Sequence, residues 1–253
     1  MTDRATGSTP PNVVVLLLDT ARARNFSCYG HERETSPNID QFAESGVKFT
    51  RATSVSPWTL PSHTSLFTGV PPSTHQTNSL DSYLNHDIKT LPSVLQEHGY
   101  ETVGMASNPW LSSQFGVTRG FDTFHYLHGA FGTDSYKEFV KKITDSNISR
   151  IKRVTELFRS QAIPELCKNT LTAAQRQLFE REDDGAQAAV KTAKKVIDQN
   201  NPYFLFINFL EPHLPYEPPG SYENKFLSEG ISDQDIEEVN QDAREYNARN
   251  LEM

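Results

Sequence analysis

The feature of this sequence that most constrains the fold is an uninterrupted apolar run, Val13–Leu18, that ends at a carboxylate, Asp19. A strand with one face in solvent alternates apolar and polar residues, whereas a strand buried on both faces is apolar throughout. The three valines of the run favour a strand over a helix. The run therefore predicts a buried parallel strand. Asp19 would lie at its carboxyl end, where open α/β sheets place their ligand sites.

A hydroxyl-rich segment, 59–69, supplies the other half of the predicted site. Thr59 lies shortly before Pro61-Ser62, where we expect a helix to begin with Ser62 near its N-cap and to run to about Phe67. The N-terminus of a helix favours anions such as sulfate or phosphate. We therefore hypothesise a metal-bound carboxylate, Asp19, beside an activated hydroxyl, Thr59. A strand-end carboxylate and a helix-capping turn without catalytic function would give the same pattern.

The rest of the chain alternates between predicted strands and helices. We expect strands at about 47–53, 100–106 and 203–209, and a small strand or anchoring loop after Gly120. Helices are expected at about 37–45, 91–97, 109–114 and 186–197, with a last helix from 234 and a rigid loop at 71–75. This alternation predicts an α/β fold, with a mostly parallel sheet and helices on both faces.

The predicted organisation is one α/β domain, 12–253, preceded by a disordered lead at 1–11. A charged, helical insertion is expected at about 134–200.

Composition excludes some functions. The formal net charge is −8 and the sequence pI is about 5.5, which argues against nucleic acid as a partner. Cys28 and Cys167 lack the spacing of a disulfide framework or a zinc site.

The polar N-terminus shows no secretory signal, and no apolar stretch approaches the roughly 20 residues of a membrane span. We therefore expect a cytoplasmic protein without a membrane span.

Several short motifs occur in the order and at the spacing of one family. The chain resembles the sulfatase family of the alkaline phosphatase superfamily, over most of 12–125 and 200–219. The matching motifs are Asp19-Thr20-Ala21-Arg22, Cys28-Tyr29-Gly30, Thr35-Ser36-Pro37-Asn38, 42–49, 59–69, Gly99-Tyr100, Gly120-Phe121-Asp122 and Pro212-His213-Leu214-Pro215-Tyr216.

The resemblance implies an alkaline-phosphatase-like α/β fold that hydrolyses a sulfate or phosphate ester with a divalent metal ion (Mn, Zn, Mg or Ca). It implies that Asp19 is a metal ligand and that Thr59 is both the nucleophile and a metal ligand. It also implies that His213 acts on the substrate's anionic group. His63 and Asn108 stand where the family has an arginine and a lysine, so we expect both to contact the substrate.

The chain departs from the family pattern at four places. Sulfatases carry Cys or Ser, which becomes formylglycine, in a Cys/Ser-x-Pro-x-Arg motif, whereas this chain has Thr59 and His63. This difference argues against formylglycine and favours direct attack by the hydroxyl. The usual Asp-Asp pair is Asp19-Thr20 here. The family's Lys-Trp-His stretch is replaced by Ser107-Asn108-Pro109-Trp110, so its lysine and histidine are missing. The family's late Asp-His or Asp-Asn pair is not found before Met253, so the C-terminal part of the family fold is expected to be missing.

Two kinds of function remain open from the sequence. One is a metal-dependent hydrolase of small-molecule or glycan sulfate or phosphate esters, or a related phosphoryl or phosphoglycerol-type transferase. The other is a non-catalytic fragment or pseudoenzyme that acts as a binding or structural module. An incomplete parallel sheet would expose an edge and an apolar face, so we also expect a homo-oligomer.

Overall fold

Four parallel strands form one sheet in the order β1–β4–β2–β3. The computed structural model describes 10–127, 185–197, 202–214 and 234–242, together with residues 216, 218, 222, 225–227 and 230–232. The strands are β1 (Val13–Leu18), β2 (Glu101–Ala106), β3 (Thr123–Tyr126) and β4 (Tyr203–Phe209). The predicted α/β class and its parallel sheet are confirmed. The three longer strands begin and end within one residue of the predicted bounds.

The described helices lie between these strands and after the last one. They are α1 (Pro37–Glu44), α2 (Thr59–Thr68), α3 (Pro72–His75), α4 (Leu91–Glu97), α5 (Ala186–Ile197) and α6 (234–242), with 3₁₀ turns at Ala23–Asn25, Ser27–Tyr29 and Ser113–Phe115. The hydroxyl of Thr90 caps α4 by accepting the backbone N–H of Ser93 at 3.3 Å. Ser232 and Asp235 cap α6 reciprocally, each side chain accepting the other's backbone N–H.

Helix α2 starts three residues before the predicted start, and this places Thr59 inside the helix. Its N-cap is Trp58, which has an extended backbone and no side-chain capping bond. Pro61 is tolerated because the first N–H groups of a helix have no partner within it. The prediction that Ser62 lies near the N-cap is therefore wrong.

Three further local predictions are wrong. Residues 47–53 form no strand, and the side chains of Val47 and Phe49 are exposed. The expected rigid loop at 71–75 contains the one-turn helix α3. The expected helix at 109–114 is a turn followed by the 3₁₀ turn.

Helices cover both faces of the sheet, as predicted. On one face, Leu60 and Phe67 of α2 pack with Phe204 and Phe206 of β4. On the other face, three side chains of α5 pack against β4 and β2; these are Ala189, Ala193 and Val196. Residues 203–208 of β4 are buried because α2 and α5 pack on its two faces while β1 and β2 cover its edges.

Strand β1 was predicted to be buried on both faces, and this prediction is wrong. Val13, Val15 and Leu17 pack into the core on the α2 side. Val14 and Leu16, which point to the opposite face, are 46% and 57% exposed. In the described part of the chain, β1 is an edge strand, and α5 packs on β4 rather than reaching over β1.

Two of the predicted segments fall largely outside the described residues. The lead at 1–11 is described only from residue 10, and the insertion at 134–200 only at 185–197, which includes α5. The division of the chain into a lead, a domain and an insertion stays a prediction. None of the described helices is long and apolar enough to cross a membrane.

Candidate active site

Three polar side chains lie side by side at the carboxyl end of the sheet. Asp19 follows β1 directly, Asn108 follows β2 by two residues, and Asn208 is the penultimate residue of β4. Asn208 pairs with Leu17 on one side and with Ala106 on the other. Alternate residues of a strand point to the same face, and Asp19 and Asn108 lie two positions after these partners. The sheet register therefore aims all three side chains at the α2 side.

Thr59 joins this row from the first turn of α2. The Asn108 side-chain N–H donates to Asp19 Oδ2 at 2.9 Å and to Thr59 Oγ1 at 3.0 Å. Asp19 and Asn108 are buried, and Thr59 is half-buried. The structure thus brings Asp19, Thr59 and Asn108 together, while their chemical roles stay predictions.

His63 lies beneath Thr59, inside the core. Its Nδ1 atom donates to the Thr59 carbonyl at 2.8 Å, one helical turn earlier. Its ring meets Phe206 edge to face, with the centroids 6.0 Å apart. Burial lowers the pKa of His63, while the Thr59 carbonyl and the Asp19 charge oppose this effect less strongly. The ring is therefore neutral at pH 7. Its burial places it behind the hydroxyl, and the expected substrate contact stays a prediction.

Asn208 is the residue of this cluster that the sequence analysis missed. Its side chain is 1% exposed, and its N–H group lies 3.3 Å from Asp19 Oδ2 and 3.4 Å from His63 Nε2. Its carbonyl oxygen is buried and has no hydrogen-bond partner in the described part of the chain. The available sequence signal was a single amide in the otherwise apolar and aromatic strand 203–209.

Thr20 links the end of β1 to the loop that carries His213. Its φ angle is 58°, in the left-handed region that β-branched residues avoid. Its hydroxyl donates to the Pro212 carbonyl at 2.9 Å. A backbone of this kind costs about 1–3 kcal/mol and is retained where the surrounding structure requires it. The second position of the family's acidic pair is thus occupied here by a loop-binding hydroxyl.

His213 lies on that neighbouring loop rather than in the Asp19 cluster. Its ring is half-buried, and its Nδ1 atom donates to the Leu214 carbonyl at 2.7 Å, which leaves Nε2 for another partner. Among the described residues, no hydrogen bond joins it to Asp19 or Thr59. The two loops border a cleft lined by Thr20, Ala21, Arg22, Asn25, Phe26, Thr35, Pro212 and Tyr216.

The donors of the cluster suit a hard divalent cation only in part. They are the Asp19 carboxylate, the Thr59 hydroxyl and the amide oxygen of Asn208, and oxygen ligands of this kind bind Mg²⁺, Ca²⁺ or Mn²⁺. The amide oxygen of Asn108 instead accepts the backbone N–H of Trp110 at 3.0 Å. The unpartnered, buried Asn208 oxygen is consistent with such a ligand set. Over the described residues, however, no group of three or more His, Cys, Asp or Glu side chains is placed to hold a metal ion.

Comparison with known proteins gives a match over almost the whole chain. The family model named Sulfatase matches residues 11–253. Iduronate 2-sulfatase of Mus musculus is 24% identical over 229 residues, which cover 87% of this chain and 38% of that protein.

Solved structures share the fold at low sequence identity. The phosphonate monoester hydrolase of Agrobacterium radiobacter matches with a TM-score of 0.60 and 22% identity, over 88% of this chain and 45% of that one. The C-terminal periplasmic domain of EcEptC from Escherichia coli, solved in complex with Zn, matches with a TM-score of 0.55 and 14% identity, over 92% and 55%. The chain therefore spans less than two thirds of each of these three proteins.

Proposed function

Because the chain belongs to the sulfatase family, we propose that it supplies the Asp19–Thr59 part of the active site of a metal-dependent hydrolase of sulfate or phosphate esters. We further propose that this hydrolase works without formylglycine. Its substrates would be small-molecule or glycan esters, a class that includes the sulfated sugar named in iduronate 2-sulfatase.

The observation that carries this proposal is the position of the Asn108 amide. One N–H group reaches both Asp19 Oδ2 and Thr59 Oγ1, at 2.9 Å and 3.0 Å. A carboxylate that can bind a cation, at the end of β1, and a hydroxyl that can attack an ester, on α2, are therefore joined by an amide that follows β2. A hydroxyl in the first turn of a helix also lies where the backbone favours an anion.

The proposed metal ion would be held by Asp19, with Thr59 as a second ligand. A divalent cation there would offset the negative charge that develops on the ester oxygens during the reaction. The solved EcEptC domain contains Zn, which supports a divalent ion in this fold but leaves open whether the ion is Mn, Zn, Mg or Ca.

The proposed reaction has two steps. Thr59 Oγ1 forms a bond to sulfur or phosphorus, and the ester oxygen leaves with the bonding electron pair and takes up the hydroxyl proton as an alcohol. Water then attacks the same sulfur or phosphorus atom, which restores the Thr59 hydroxyl and releases sulfate or phosphate. The Asn108 N–H is placed to orient Thr59 Oγ1. His213 Nε2 would bind an ester oxygen. His63 would hold the first turn of α2 in place through its hydrogen bond to the Thr59 carbonyl.

The test is an assay of the whole protein with nitrophenyl sulfate, phosphate and phosphodiester substrates, each with Mn²⁺, Zn²⁺, Mg²⁺ or Ca²⁺. We expect Thr59→Ala to lower kcat by at least ~100-fold, because the bond-forming atom is removed. The matched variant Thr59→Ser keeps a hydroxyl at the same position and should keep most of the activity. Turnover that survives Thr59→Ala would show that Thr59 is not the nucleophile.

The alternative, a non-catalytic binding module, predicts a different result from the same assay. It is motivated by the neutral Asn108 in place of the family's lysine and by the absence of a three-residue metal cluster among the described residues. It requires that no substrate is turned over with any of the four ions, even when the protein binds them. Turnover that depends on both the ion and Thr59 would exclude it.

A further inference from the structure

Asn208 lies in the core, where a side-chain amide destabilises the fold unless its polar atoms form hydrogen bonds. It is the penultimate residue of the central strand, with β1 and β2 paired on either side. Its carbonyl oxygen is buried without a hydrogen-bond partner in the described part of the chain. An unsatisfied buried acceptor destabilises the fold, and an apolar side chain of the same size would avoid this cost. Within the described part of the chain, the contacts of the amide are made by its NH₂ group.

That group contacts two acceptors at once. It lies 3.3 Å from Asp19 Oδ2 and 3.4 Å from His63 Nε2. Because His63 Nδ1 donates to a carbonyl, Nε2 is the acceptor of the neutral ring. Asn208 thus ties the end of β1 to the buried side of α2.

The hydrogen bonds also fix which way the Asp19 carboxylate faces. In the described part of the chain, the amides of Asn108 and Asn208 both donate to Oδ2. Oδ1 is therefore the oxygen left for a cation. Groups that hold a metal-binding carboxylate in one orientation contribute strongly to metal affinity, and their loss typically costs about 10–100-fold.

We propose that Asn208 is a positioning residue for the Asp19 metal site, which orients the carboxylate through Oδ2 and couples it to α2 through His63. This inference rests on the proposed function, because it assumes that Asp19 binds the cation. It assigns to Asn208 an effect on metal affinity that is separate from any contribution to folding.

The test is titration of the whole protein and its variants with Mn²⁺ alone, by calorimetry, without substrate. Asn208→Leu removes the N–H donors and the unsatisfied oxygen at similar volume, and should weaken Mn²⁺ binding about 10–100-fold. The matched control is Ile207→Ala on the same strand. Ile207 is 2% exposed and packs in the cluster on the α5 face. The variant Ile207→Ala should lower the melting temperature but leave the Mn²⁺ affinity within about threefold of the parent's, well short of the tenfold loss expected for Asn208→Leu.

The outcomes separate this inference from the function it rests on. If the parent protein binds no Mn²⁺, Mg²⁺, Ca²⁺ or Zn²⁺, the proposed function fails. If the parent binds Mn²⁺ and Asn208→Leu binds it equally well, only the role of Asn208 is overturned. An equal loss of affinity in Ile207→Ala would also overturn that role, because it would show a general effect of destabilisation.

A second measurement remains decisive if Asn208→Leu does not fold. In NMR spectra of the parent protein, the side-chain NH₂ signals of Asn208 should shift when diamagnetic Mg²⁺ is added to saturation. The reason is that Asp19, whose Oδ2 accepts this group, would then also bind the ion. Signals that do not move at saturating Mg²⁺ would contradict the proposal.

Discussion

The buried ring of His63 makes the stability of this protein depend on pH. Its side chain is 3% exposed, and burial lowers its pKa, so the folded state resists protonation of the ring. In the unfolded chain the ring has its ordinary pKa of about 6.5. The unfolded state therefore binds more protons than the folded state at and below this pH. It follows that the stabilisation is fully present above about pH 6.5 and is lost as the pH falls towards the folded-state pKa.

The magnitude follows from the proton uptake of the unfolded chain. Between about pH 7.5 and about pH 5.5, the unfolded ring passes from roughly one tenth to nine tenths protonated. The free energy of unfolding falls by at most about 1.4 kcal/mol over this range, which is the limit for a ring that stays neutral in the folded state. The variant His63→Gln has no proton to take up. Its free energy of unfolding should therefore fall less than that of the parent over the same range, by up to about 1.4 kcal/mol.

The assay is urea-induced unfolding of the parent and the variant at both pH values, in the presence of a chelator. Phe67→Leu is the matched control, because Phe67 is buried, contacts the His63 ring and carries no titratable group. It should be less stable than the parent at both pH values and lose the same amount of stability between them. If His63→Gln loses as much stability as the parent on acidification, then His63 is not held neutral by burial.

Four further predictions follow from single positions and from the charge of the site. Thr20→Val should lose about 1 kcal/mol of stability with the hydroxyl, whereas Thr20→Gly should lose less because it relieves the left-handed backbone; urea midpoints compare the two. Gly120→Ala should be at least about 2 kcal/mol less stable than Gly30→Ala, since both have positive φ but only at Gly120 would a Cβ collide with Ser93; equal melting temperatures would contradict this. Leu16→Lys should raise the monomer fraction in size-exclusion chromatography if the exposed face of β1 joins copies of the chain. Inorganic phosphate should bind measurably by calorimetry only when Mn²⁺ is present.

The sequence predicted the strands better than the helix starts. The bounds of β1 and β4 follow from apolar runs that end at a polar or proline-rich segment. The start of α2 did not follow from capping rules, because Trp58 supplies no capping side chain and the backbone alone begins the helix. The exposure of one face of β1 was also not predictable from its residues. Its composition suits a central strand, and its position at the sheet edge is set by contacts between distant segments.

The candidate site likewise has a part that short sequence motifs predict and a part that depends on contacts between segments distant in sequence. The proximity of Asp19, Thr59 and Asn108 was predictable because each lies in a motif with a recognisable order along the chain. The place of Asn208 in the cluster was not predictable, because a single amide in the apolar strand 203–209 does not show which residues it contacts. Its relation to Asp19 appears only when the register places β4 beside β1.

The expected dependence of phosphate binding on Mn²⁺ follows from the charges in the cluster. Asp19 is held by neutral amides, and the nearby His63 ring is neutral, so no side-chain cation of the described residues pairs with the carboxylate. An anionic ester placed beside Thr59 would be repelled by Asp19. At a separation of about 4 Å, two like charges near a protein surface repel by about 4 kcal/mol, which corresponds to roughly a 1,000-fold loss of affinity. A divalent cation bound to Asp19 would reverse the sign of this interaction, so the metal ion and the ester should each bind more tightly when the other is present.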